Sequence, residues 1–296
     1  MSAAVAVTFQ YFTLQLCSTD MSIKEDYTIT VLGCGVMGTA VVSAILKAEF
    51  LPYPAKIICC TSREELALSL KKKLNHEIIK VSYGAEANSV AADKADIVIL
   101  ACKPYMYQTI LNQAPIKKDS LLISLLAGVT TEELSSYSNS VAKVMTNTPA
   151  QYGCGTAMVS FSSPGVEEKY GDLVMKLVNP VGLAMKIPEK NMDAATALVG
   201  SGPAFCLLMM ESLIDGGVRM GLPFAVAKDA AAKVMEGTAK MVLETGDHPA
   251  ALKSKVCTPG GTTIGGLLKL EDAGVRGSIA RAVEEAANIS ASFAKK

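Results

Sequence analysis

The chain has 296 residues and a mass of 31.0 kDa; 50% of the residues are hydrophobic and 19% charged. At about 150 residues per domain this suits two core-forming domains or one large one, and it excludes intrinsic disorder. Lys plus Arg and Asp plus Glu balance at 28 each, which argues against a nucleic-acid binder, and no apolar run is expected to approach the roughly 20 residues of a membrane helix.

The first 26 residues stand apart. Residues 3–16 are apolar and β-prone, but no basic region precedes them and residues 1–23 contain no Lys or Arg. Neither a secretory peptide nor a mitochondrial presequence is expected. A poorly ordered extension is expected instead, with Met21 as an alternative start.

Residues 28–32 (TITVL) form a short β-branched run suited to a buried parallel strand. The run Gly33, Cys34, Gly35, Val36, Met37, Gly38 follows, and then a helical pattern. Strand, G-x-G-x-x-G and helix in that order predict a dinucleotide site. Gly33 permits the tight turn, Gly35 lets backbone approach a pyrophosphate, and Gly38 lets helix and strand pack closely. The helix N-terminus would meet the phosphates with free N–H groups.

A second strand at Lys56–Cys60 ends in Thr61, Ser62 and Arg63, where an NAD-binding fold usually carries an acid for the ribose 2′-hydroxyl. Two hydroxyls and a guanidinium suit a 2′-phosphate, which favours NADPH, with NADH still possible. Alternatively, Thr61 and Ser62 cap the helix that begins at Glu64. Further strands are expected at 95–102, 120–126 and 141–145, with helices near 62–74, 105–113 and 130–137. This alternation predicts a parallel sheet with helices on both faces. Segments after Leu32, Cys60, Cys102, Leu126 and Met145 should line one cleft at the carboxyl ends of the strands.

From about residue 190 the pattern becomes helical. Helices are expected near 203–219, 224–244, 248–256, 263–271 and 276–294. The first reads as buried all round, and the second carries a stripe through 227, 230, 231, 234, 238, 241 and 242. These helices look short of partners within one chain, so burial between two subunits is the economical reading; a compact monomeric bundle is the alternative. The expected domains are therefore an extension at 1–26, a Rossmann domain at 27–190 and an all-α dimerisation and substrate domain at 191–296. A Gly- and Thr-rich loop at 256–267 offers backbone N–H groups and hydroxyls, a natural seat for a carboxylate.

The eight cysteines show no C-x-x-C or zinc-ligand spacing, and no metal site is expected. His76 and His248 are the only histidines, and neither sits near a recognisable nucleophile. Free thiols imply a reducing compartment, with the cytoplasm preferred over the mitochondrion.

The segments VLGCGVMG (31–38), ACKP (101–104), AGVT (127–130), MTNTPA (145–150), VGSGPAF (199–205), DGGVRMGLP (215–223) and VCTPGGTTIGGL (256–267) together resemble the pyrroline-5-carboxylate reductase family in order and spacing. The resemblance spans about residues 28–290. It implies NAD(P)H-dependent reduction of 1-pyrroline-5-carboxylate to L-proline by a homodimer or a larger ring of dimers. Carried over by position, it implies cofactor contacts at Leu32, Gly33, Cys34, Gly35, Val36 and Met37. Others follow at Thr61, Asn88, Ala101, Cys102, Lys103, Pro104 and Ala127, beside the Ser62 and Arg63 already named. It implies substrate contacts at Gly260, Gly261, Thr262 and Thr263, with Thr263 as the catalytic residue beside the ring nitrogen. Arg63 departs from an acid found in some members, which tilts the expectation further toward NADPH. Lys255 replaces a neutral residue and is left out of the site.

Two other readings are open on the residues. A β-hydroxyacid-type dehydrogenase would want a general-base lysine on the second-domain helix, and residues 203–222 contain none. A non-catalytic NADP-sensing protein would have no use for the donor-rich 256–267 loop.

Overall fold

The computed structural model describes residues 25–293. The expected extension falls outside them except for the exposed Glu25 and Asp26. From Tyr27 the chain alternates strand and helix. Strand β1 (Thr28–Leu32) leads into α1 (Val36–Leu46), and β2 (Lys56–Thr61) into α2 (Glu64–Lys73). Then β3 (Ile79–Tyr83) precedes α3 (Ala85–Asp93), and β4 (Ile97–Leu100) precedes α4 (Tyr107–Gln113). The unit finishes with β5 (Leu121–Ser124), α5 (Thr131–Ser135), β6 (Ser140–Thr146), β7 (Gly155–Phe161), α6 (Pro164–Val178) and β8 (Gly182–Lys186).

The sheet order is β3-β2-β1-β4-β5-β6-β7-β8. Pairing is parallel from β3 to β6, because each connection carries a helix that crosses back over a face. The parallel sheet expected from the alternation holds through β6, and the unexpected β7 runs antiparallel to β6. Only residues 147–154, with the 3-10 turn Thr148–Tyr152 and Gly153 at φ 71, lie between them, so the chain reverses without a crossover helix. Strand β8 pairs parallel with β7 after α6.

Both faces are covered. Residues of α1 and α6 pack one apolar cluster with Ile29, Ile97 and Ile123, and residues of α3, α4 and α5 pack the other with Val98, Leu100 and Leu122. Each such side chain contributes about 1.5–3 kcal/mol on full burial.

The second unit opens as one helical run from Glu189 to Arg219. It comprises α7 (Met192–Ala195), a π-helical stretch at Thr196–Ser201, and α8 (Gly202–Arg219), with Pro203 in the first turn of α8. Then come α9 (Phe224–Thr245), α10 (Pro249–Val256), α11 (Thr262–Asp272) and α12 (Val275–Phe293). Helices α8 and α9 share a small core of Ile214, Ala227 and Ala231. Helix α12 returns to the sheet, where Phe293 closes over Gly128.

Two expectations for α8 change. It is not buried all round within one chain, since Leu207 and Leu208 are 62% and 64% exposed. The run 189–219 is also long and apolar enough to cross a membrane by length and composition, with a mean hydropathy of 1.6 over an 18-residue window. Its small residues, including Ala194, Ala195, Gly200 and Gly202, break up the large-residue pattern and hid that length in the sequence.

Candidate active site

Strand order reverses between β1 and β4, and a crevice opens there at the carboxyl ends of the strands. It is a cleft of about 610 Å³, within the usual size of a cofactor site. The turn after β1 forms its floor. Gly33 holds φ +75, and a Cβ there would sit 2.6 Å from the Cβ of Cys102, so only glycine fits between the two loops. Gly38 lets α1 lie against the sheet; its added Cβ would meet Ala101 Cβ at 3.1 Å and Val31 Cγ1 at 3.2 Å. Gly35 differs, since a Cβ there would find nothing nearer than 3.9 Å. The open space belongs to whatever binds. The first-turn N–H groups of Val36, Met37 and Gly38 have no intrahelical acceptor and face that space as donors for an anion.

Of the expected cofactor residues, the cleft gathers Leu32, Gly33, Cys34, Gly35, Val36, Met37, Thr61, Ser62, Asn88, Ala101, Cys102 and Lys103. Thr61 turns inward; its hydroxyl donates to the Arg63 carbonyl at 3.0 Å. Asn88 donates to the Thr61 carbonyl at 2.8 Å, while its own Oδ1 is buried without a partner. The reading of Thr61 and Ser62 as helix caps does not hold. The N-cap of α2 is Arg63, and no side chain caps that helix. Ser62 is left on the cleft wall with its hydroxyl uncommitted to the helix.

Three expected cofactor residues are not among those lining the cleft. Arg63 is exposed at the start of α2, just past the rim. Pro104 starts the 3-10 turn that leads into α4. Ala127 is turned away and packs with Met145, Met192 and Ala195. The segment after Met145 likewise does not line the cleft, because Met145 is covered by the 187–195 segment. Conversely, Thr109, Ile110 and Gln113 of α4 form a wall that sequence reasoning missed. Their polar-apolar mix resembles any solvated helix, and only the fold places them. Gly84, at φ +81 before α3, was the one local signal of a close approach on that side.

Burial governs the thiols. It pushes Cys60 up to about 12 and Cys102 up to about 11, so both are neutral beside the cleft. Cys34, in the turn after β1, is instead drawn below the ordinary thiol range by the neighbouring Cys59 of β2 and by Thr39, against the effect of burial. Among the described residues no group of His, Cys, Asp and Glu could hold a metal ion.

The substrate candidates lie elsewhere in the chain. Gly260 takes φ +65, Gly261 is the N-cap of α11, and Thr262 and Thr263 form the first turn of that helix. No side chain caps the turn. The loop is largely exposed and does not line the cleft. Lys255, left out of the expected site, pairs with Asp247 at 2.8 Å.

Residues 189–293 match the family described as pyrroline-5-carboxylate reductase dimerisation, and residues 28–128 match NADP oxidoreductase coenzyme F420-dependent. A pyrroline-5-carboxylate reductase of Kluyveromyces lactis is 48% identical, over 91% of this chain and 99% of its own. The chain belongs to the pyrroline-5-carboxylate reductase family. One from Schizosaccharomyces pombe is 37% identical over 90% and 98% of the two chains. Among solved structures, the Plasmodium falciparum pyrroline carboxylate reductase with NADP bound superposes with a TM-score of 0.79 at 28% identity, covering 91% of this chain and 99% of that one. The Streptococcus pyogenes 1-pyrroline-5-carboxylate reductase gives 0.79 at 25% identity, covering 91% and 100%. This chain is therefore an oxidoreductase of proline biosynthesis, and the dehydrogenase and sensor readings fall away. The membrane-length run lies within the dimerisation match.

Proposed function

We propose that this reductase takes NADPH in the 610 Å³ cleft and reduces 1-pyrroline-5-carboxylate held by the 256–267 loop. The observation that carries the cofactor reading is the open cradle at Gly35, with the first turn of α1 beside it and the unpartnered Asn88 Oδ1 on the facing wall. The cradle suits a pyrophosphate and the orphan acceptor suits a ribose hydroxyl. Leu32 through Met37 would hold the phosphates, and Ala101 to Lys103 with Leu125 would wall the inner end. Ser62 and Arg63, with no acid among Cys60–Arg63, favour a 2′-phosphate over a free 2′-hydroxyl.

When bound, NADPH supplies the hydride, and the protein supplies orientation and electrostatics. The first turn of α11 presents the N–H groups of Thr262 and Thr263 to the substrate carboxylate. The Thr263 hydroxyl, placed beside the ring nitrogen, orients it by hydrogen bonding. The substrate binds already protonated as an iminium, so the chain needs no general acid. Much of the acceleration comes from holding the reacting carbons in near-attack geometry.

The loop and the cleft are separate surfaces of one chain, and a second subunit is the economical way to bring them together. A homodimer follows from the dimerisation match; we extend this to a site at or near the interface and to assembly as a ring of dimers. We also propose a cytoplasmic location, which fractionation of cells would test. The cofactor reading is tested by initial rates with each nicotinamide. A kcat/KM for NADPH well above that for NADH supports it, and equal values overturn it.

A further inference from the structure

The seam between the sheet and the C-terminal helices is built round a buried cation. Lys143, in β6, is 3% exposed, although lysine is almost never fully buried unless paired. In register beside it stand Ser124 of β5 and Ser160 of β7, and the Ser160 hydroxyl is buried without a partner. Side chains alternate along a strand, so Lys143 shares a face with Val141 and Met145. Met145 packs directly against Met192 and Ala195. Lys143 therefore lies under the segment that starts the second unit.

Three carboxylates bear on its charge: Glu189 of that segment, Asp193 of α7 and Glu133 of α5. Two of them are tied to other elements. Glu189 accepts from the Thr131 N–H at 2.7 Å and from the Thr131 hydroxyl. Asp193 accepts from the Ser290 hydroxyl of α12 at 2.7 Å. Beyond Ser290, the end of α12 seats Phe293 so closely on Gly128 that an added Cβ would lie 2.4 Å from the Phe293 Cβ. Glu189 and Asp193 thus join α5, α7 and α12, and the charge of the buried Lys143 acts on all three acids at longer range than an ion pair.

We propose that Lys143 is a positioning residue, whose charge holds the acid-bearing segment 189–195, and with it α12, on the sheet, and so sets where the C-terminal helices stand relative to the cofactor cleft. Without it the half-buried Glu189 and Asp193 and the exposed Glu133 lose the attraction of the cation buried beneath the segment. Only the kinetic part of the test rests on the reaction proposed above.

Burial pulls the ammonium below the ordinary lysine range, and Glu189, Asp193 and Glu133 draw it part of the way back. As pH rises through that lowered value the lysine turns neutral and the acids lose their partner. The alkaline limb of kcat/KM should then begin earlier than for an exposed lysine.

The test uses the full-length protein with Lys143→Met and Lys143→Arg. For Lys143→Met, kcat/KM for pyrroline-5-carboxylate should fall about tenfold while the Kd for NADPH moves by less than about twofold. Hydrogen exchange should quicken in 189–195 and in the last turns of α12. Lys143→Arg should restore both and move the alkaline limb to higher pH, because a guanidinium stays charged. If Lys143→Met does not fold, Asp193→Asn removes one charge yet still accepts from Ser290, and it must show the same split. Wild-type kinetics and exchange in these variants would overturn the proposal, as would a loss of NADPH affinity equal to the loss in kcat/KM. A wild-type protein inactive on pyrroline-5-carboxylate would fell the reaction reading alone, and the exchange result would then decide the role of Lys143.

Discussion

In the proposed reaction Thr263 and Arg63 carry the two chemical choices, and each can be removed separately. Replacing Thr263 by Ala removes one hydrogen bond to a charged partner, worth about 1.5–3 kcal/mol, or roughly 10–150-fold in turnover. The Kd for NADPH should not change, because Thr263 lies outside the cleft. Unchanged turnover would remove it from the mechanism. Arg63→Ala or Arg63→Asp should weaken NADPH and spare NADH in paired binding titrations, since only the 2′-phosphate distinguishes the two. Equal losses would show that Arg63 serves only as the N-cap of α2. Gly33→Ala combines strain at φ +75 with overlap against Cys102, and backbone strain alone costs about 1–3 kcal/mol. Urea unfolding should show at least that loss, with NADPH affinity falling as well. Near neutral pH, alkylation followed by mass spectrometry should label the exposed Cys154 and spare Cys60 and Cys102, whose thiols are held neutral by burial. Labelling of Cys102 at the rate of Cys154 would contradict that.

Among the elements, α8 and α9 show most directly what one chain leaves unfinished. Their shared face buries Ile214, Ala227 and Ala231, while Leu207, Leu213, Val226 and Val234 remain exposed. The α9 stripe is thus split: Ala227 and Ala231 pack inside the chain, while Ala230, Val234 and Met241 are exposed. On a monomer, Val234→Asp at a 60% exposed position would change stability by no more than about 0.5 kcal/mol. In a dimer it buries a charge and should dissociate or unfold the protein and abolish activity. Size-exclusion chromatography with light scattering across a dilution series distinguishes the two, and a fully active 31.0 kDa monomer would refute the interface. Elements with an uninterrupted apolar run, such as β1, β4 and β5, were readable in the sequence because burial on both faces demands such runs. Strands β3 (IKVSY), β7 (GTAMVSF) and β8 (GLAMK) were not. Two of them are edge strands with mixed faces, and β7 mixes small, polar and apolar residues. The reversal before β7 depended on the short 148–152 turn, whose residues carry no local signal of strand direction.

At the scale of the whole molecule, the proposed reaction requires two surfaces to meet: a cleft at the β1–β4 switch point and the first turn of α11. The cofactor half of the site was legible, because G-x-G-x-x-G and the ends of β2 and β4 are local features whose role follows from strand and helix geometry. The Cβ measurements at Gly33 and Gly38 give that local reading its physical content. The α4 wall and the Lys143 seam were not legible, because both arise from residues far apart in sequence that only the sheet order brings together. The substrate loop was legible as a donor-rich turn, while its separation from the cleft became visible only in three dimensions. The most direct test of the account is a single reaction in which the purified protein, NADPH and pyrroline-5-carboxylate are mixed and both NADPH loss and L-proline are measured. One L-proline per NADPH oxidised, with specific activity falling as dilution dissociates the dimer, is the predicted result. NADPH that binds in the cleft but is never oxidised on addition of pyrroline-5-carboxylate would contradict it.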